Sequence, residues 1–122
     1  MRDETLHEAR DNPDHDGGIR TALRAWDDDP AAAKARYGPI ASWDTSGITD
    51  MDRLFLFKED FNEDISRWNV SNVVGMNSMF NGATSFNGDL SCWDVSNVVD
   101  MEQMFDGATL FNGDLSSWNV SK

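Results

Sequence analysis

Cys92 is the single thiol in the 122-residue chain. A thiol attacks as its thiolate, and that needs a base or cation beside it. The two histidines, His7 and His15, sit near the N-terminus, far along the chain from Cys92. No nucleophile–base pair is legible, and one cysteine cannot close an internal disulfide. A second suggestive set is rich in oxygen. Asn62, Asn87 and Asn112 each follow a phenylalanine, and Asp64, Asp89 and Asp114 come two residues later. Oxygen-rich turns bind hard cations such as calcium. The spacing is not that of an EF-hand loop, and the Gly-Gly-x-Gly-x-Asp pattern is missing. The plainer reading is a buried asparagine ladder, with the aspartates accepting backbone hydrogen bonds at turns. With no triad, metal cluster or phosphate loop in the sequence, the expectation is a protein that is not an enzyme and uses no cofactor or metal.

What spaces these residues is a repeat. Trp43, Trp68, Trp93 and Trp118 recur every 25 residues, and Phe61-Asn62, Phe86-Asn87 and Phe111-Asn112 keep the same step. A constant period of this size means stacked repeats. The formal charge is −12, from 22 acidic and 10 basic residues. Such a surface repels phosphate backbones and acidic membranes, so nucleic acid is an unfavourable partner and a basic protein a plausible one. No run approaches the apolar length of a membrane span. Met1-Arg2-Asp3-Glu4-Thr5-Leu6-His7 has no apolar core of the secretory type.

The chain divides into three parts: a mobile acidic tail (1–18), an N-terminal helical cap (19–39) and a repeat array (40–122). Ile19, Ala22, Leu23 and Trp26 fall on one helix face. Asp29 and Pro30 suit the start of a second helix and Gly38 its stop. Within each repeat, Trp93 and Val95 alternate inward like a short strand. Val98, Met101, Met104, Phe105 and Ala108 follow a helix face that Asn97 could cap. The expected fold is α/β. Parallel strands form a sheet on one side of a right-handed, leucine-rich-repeat-like solenoid, and helices line the other.

The pattern Asp-Leu-Ser-Cys-Trp-Asp-Val-Ser-Asn-Val-Val-Asp-Met-Glu-Gln-Met-Phe, residues 89–105, resembles the BspA-type leucine-rich-repeat surface proteins. That group was once catalogued as a mycoplasma domain of unknown function and is also common in marine microalgae. The likeness covers roughly residues 40–122. It implies a leucine-rich-repeat-like solenoid used in surface adhesion or protein interaction, at the cell surface or secreted, with no shared enzymatic activity.

Two candidate surfaces follow. Asp44, Asn69, Asp94 and Asn119 form an outward row, and Ser42, Arg67, Cys92 and Ser117 form a more varied row beside it. A repeating interior beside a varied exterior marks a binding face, so Asp44, Asn69, Asp94, Asn119, Arg67 and Cys92 are the candidate partner-binding residues. Trp118 and Val120 lie on an incomplete last repeat and form a candidate docking edge for a larger assembly. Leu56 and Phe57 stand where later repeats have polar residues and glycine. Left exposed they would make a small hydrophobic spot on the convex side; the expectation is that they pack against the N-terminal helices. The sequence thus favours a non-catalytic protein-interaction module, with a structural subunit of a multi-protein assembly as the alternative.

Overall fold

The computed structural model describes residues 13–119. Two α-helices come first: α1, Asp16–Asp28, and α2, Pro30–Tyr37. The Asp29 carboxylate accepts the Ala32 N–H at 3.2 Å, Pro30 fills the first turn, and Gly38 ends α2 at φ 83°. These are the residues whose chemistry suits a helix start and stop. A 3-10 turn, Ile40–Ser42, leads into the repeats.

From there the chain winds as stacked coils: coil 1 (40–64), coil 2 (65–89), coil 3 (90–114) and the start of a fourth. Each repeat position forms a column, and the columns fill one core. Phe55, Phe80 and Phe105 stack with centroids 5.4 and 5.5 Å apart. Phe61, Phe86 and Phe111 stack alongside, 6.0 and 5.9 Å apart. Trp43 lies parallel to Trp68 at 6.3 Å, and Trp93 to Trp118 at 6.5 Å. Trp68, Trp93 and Trp118 each donate their indole N–H to the coil before, at Ile40, Ile65 and Leu90 carbonyls. The ring buries apolar area while its one polar atom is satisfied across the seam.

The expected parallel sheet and repeat helices are not present among the described residues. Among the described residues neither a strand nor an α-helix lies in the coils; the chain there makes two isolated parallel bridges, Asp50–Gly75 and Gly75–Asp100. The α/β leucine-rich-repeat-like reading is therefore corrected, and hydrogen bonding supplies the reason. Along 51–57, alternate N–H groups act differently. Met51, Arg53, Phe55 and Phe57 donate across the seam to the carbonyls of Gly75, Asn77, Met79 and Asn81 at 2.8–2.9 Å. Leu54, Leu56 and Lys58 donate three residues back, to Met51, Arg53 and Phe55. Coil 2 repeats the scheme with Met76, Ser78, Phe80 and Gly82 donating into coil 3.

Beyond its first turn a helix spends its N–H groups internally, and a helix this short gains little in water. The turns leave half of them to bind the next coil. The geometry needs left-handed backbone at fixed points: Arg53, Ser78 and Gln103 at φ 54–59°, and Phe57, Gly82 and Gly107 at φ 59–78°. Asn97 caps no helix; its amide donates to the Ser71 carbonyl at 2.7 Å, as Asn72 does to Ser46. The expected strand is likewise a run of turns. Trp93 and Val98 donate to Leu90 and Val95, three residues back.

α1 occupies the place of a preceding coil. Ile19, Ala22 and Leu23 join the core. Asp16 accepts the Thr49 N–H and hydroxyl at 2.9 Å, and one turn later Arg20 donates to the Asp50 and Asp52 carbonyls at 3.3 and 3.0 Å. Together they satisfy backbone groups that a coil would otherwise meet.

Candidate functional site

Asp44, Asn69, Asp94 and Asn119 are exposed, as are Arg67 and Cys92. Val120 lies outside the described residues. The exposed row has a structural duty that the sequence reading did not assign. Asp44, Asn69 and Asp94 each accept, through one side-chain oxygen, the N–H and hydroxyl of the serine two residues on, at 3.0 and 2.7 Å. Asp64 and Asp89 do the same with Ser66 and Ser91. These are Asx turns, in which a short side chain stands in for a backbone acceptor.

The serine hydroxyl and N–H hold Asp44 and Asp94 below the usual carboxylate range, and both stay ionised. The same pair lowers Asp89, while Asp64 and Asp114 in the neighbouring coils push it back up. That opposition shows a column of like charges close enough to feel one another. Among the described residues no group of three or more His, Cys, Asp or Glu could hold a metal ion.

The asparagines at the phenylalanine turns sit differently from the expectation. Asn62 and Asn87 are exposed, and their side-chain oxygens accept the backbone N–H of Asn87 and Asn112 at 2.9 and 2.8 Å. The ladder is real, but it runs along the surface rather than through the core.

Leu56 and Phe57 do not bury against the helices. Phe57 is 68% exposed and Leu56 half-buried. With Trp26 and Pro30 they wall an open groove of about 520 Å³, rimmed by acidic residues including Glu59 and Asp60. On the sequence, the one signal for it was a phenylalanine standing where the next coils have Gly82 and Gly107.

Trp118 is half-buried on the stack above Trp93. On the same side of the array, the N–H groups of Met101, Gln103, Phe105 and Gly107 have no acceptor among the described residues, although their counterparts in coils 1 and 2 all do.

A family model for mycoplasma proteins of unknown function, DUF285, matches residues 29–122, well over half of the chain. The chain belongs to the DUF285 family. No curated protein and no solved structure shows a match to it. The DUF285 match begins at Asp29, the cap of α2, and runs through all the coils. It therefore leaves α1, which carries Asp16 and Arg20, outside the matched region. No helix among the described residues of this DUF285 member is long and apolar enough to cross a membrane.

Proposed function

We propose that this DUF285 protein is a non-catalytic protein-interaction module whose contact face is the exposed row Asp44, Asn69, Asp94 and Asn119 with Arg67 and Cys92. The observation that carries this reading is the pairing of a fixed frame with a varied edge. The Asx turns hold Asp44, Asn69 and Asp94 at identical points in coils 1 to 3. The residues two positions before them change from Ser42 to Arg67 to Cys92 to Ser117. Ionised carboxylates on a chain of net charge −12 favour a basic partner. The likeness to BspA-type surface proteins points to the same class of role.

Asn69 already makes the turn without a charge, so Asp44→Asn with Asp94→Asn removes charge and keeps the fold. Capture of basic partners from the native cell extract, compared between the parent and this double variant, tests the reading. Weaker, more salt-tolerant capture is expected. Identical capture by the variant, and by an Arg67→Glu variant, removes the face from the proposal.

The second reading, a structural subunit, draws on the far end of the array. The N–H groups of Met101, Gln103, Phe105 and Gly107 have no acceptor among the described residues; beside the half-buried rings of Phe105, Phe111 and Trp118 they make a surface that another coil-like element would satisfy.

A further inference from the structure

A second groove, of about 230 Å³, lies between α1 and coil 1. Its lining includes Arg20, Arg24, Arg53 and Lys58. Those are four of only seven Lys or Arg residues among the described positions. In a chain with 22 acidic residues this concentration of positive charge is unusual. Two of the four are committed: Arg20 pairs with Asp50 at 3.6 Å, and Lys58 pairs with Asp27. Arg24 and Arg53 have no carboxylate partner among the described residues; Arg24 reaches only the Thr21 hydroxyl, at 3.4 Å.

The backbone supplies an independent observation. Coil 1 presents a row of carbonyls, at Asp50, Asp52, Leu54 and Leu56, on the side facing α1. In coils 2 and 3 the equivalent carbonyls all accept an N–H from the coil before. In coil 1, Arg20 serves the first two. The carbonyls of Leu54 and Leu56 accept no hydrogen bond among the described residues, and both residues line the groove. Leu23 completes its apolar wall. α1 stands where a preceding coil would stack, and the groove is the open space left beside it.

We infer that this groove binds an acidic peptide segment of a partner protein, whose alternate backbone N–H groups donate to the Leu54 and Leu56 carbonyls while its carboxylates pair with Arg24 and Arg53. Unserved acceptors at a seam give a peptide its register, and charge complementarity sets its sign. The site is separate from the Asp44–Asn119 row and stands whether or not that row is a contact face.

The test uses the full chain and a fluorescein-labelled dodecapeptide of alternating Glu and Ala, read by fluorescence anisotropy. Gln103 occupies the position equivalent to Arg53 with the same left-handed backbone, so Arg53→Gln keeps the coil intact. Arg24→Gln sits on an exposed helix position. The double variant is expected to bind at least tenfold more weakly, Arg67→Glu to bind as the parent does, and a peptide N-methylated at alternate residues to bind at least tenfold more weakly. Absence of peptide binding overturns the proposal. So does equal loss with Arg67→Glu, or full affinity of the N-methylated peptide. Millimolar pyrophosphate displacing the peptide completely would make the groove a small-anion site instead. Self-association of the free chain that Arg24→Gln/Arg53→Gln abolishes would make the occupant a second copy; both results overturn the proposal.

Discussion

The Asp16 carboxylate meets the Thr49 N–H at 2.9 Å. In the next coils the equivalent N–H groups, on Val74 and Val99, donate to the carbonyls of Thr49 and Val74. A helix side chain thus takes the place of a backbone oxygen at the head of the column. Replacing Asp16 by Ala leaves the Thr49 and Asp50 N–H groups without their acceptor. An unmade bond of this kind costs about 1–2 kcal/mol, so urea unfolding of Asp16→Ala should show that loss. Asp16→Asn keeps an acceptor oxygen and should retain most of the stability.

Acid should act through the same chemistry. Burial raises the Asp16 pKa, but hydrogen bonds from Thr49 and Asp50, with Arg20 nearby, outweigh it and leave the group below 3.8. Serine hydrogen bonds lower Asp44, Asp64, Asp89, Asp94 and Asp114 in the same direction. A depressed folded pKa stabilises the fold above the unfolded value and loses that contribution as pH falls through the folded value. Stability measured in urea should therefore drop as pH is lowered below 3.8. The Asp44→Asn/Asp94→Asn variant should drop less steeply, because its turns no longer depend on ionisation. Parallel curves would contradict this.

Gly82 and Phe57 form a coupled pair across a seam. Gly82 has φ 75°, and a Cβ there would stand 2.5 Å from Cδ1 of the Phe57 ring. Gly82→Ala should lose about 1–2 kcal/mol from left-handed strain, before any steric cost is added. Phe57 is itself at φ 59°, so Phe57→Gly relieves strain while giving up contact. Combining the two should restore part of the Gly82→Ala loss, a coupling of roughly 0.5–3 kcal/mol in a double-mutant cycle. Strict additivity would show that the ring simply swings aside.

Phe80 is fully buried, with Phe55, Phe86 and Phe105 against its ring. Phe80→Ala should cost about 3–5 kcal/mol. Phe105, half-buried at the far side of the same column, should cost distinctly less. Thermal or urea melts of the two variants would show the difference, and equal losses would argue against a core centred on coil 2.

Sequence and structure agree on the columns and part company on the backbone. The step from Trp43 to Trp118 placed the indoles, and Asp29, Pro30 and Gly38 marked the ends of α2. Met76, Met79, Phe80 and Ala83 are buried, as a helix face would be. However, turns of three residues put the same positions inward. Apolar spacing could not separate the two. Nothing in the letters Ser78 or Gln103 reports a left-handed φ; only Gly82 and Gly107 hinted at one, and they suit a helix stop equally well. At the candidate face, exposure was legible from alternation. The use of Asp44 and Asp94 as turn formers was not, because the Asp-x-Ser spacing reads equally as a strand face.

Asp16 and Arg20 serve the Thr49 N–H and the Asp50 and Asp52 carbonyls at one boundary, whereas at the opposite one the amides of Met101, Gln103, Phe105 and Gly107 have no acceptor among the described residues. The molecule consequently has a direction. Tandem duplication of one full period between coils would reproduce every existing seam. An insertion of any other length would shift all downstream columns out of line.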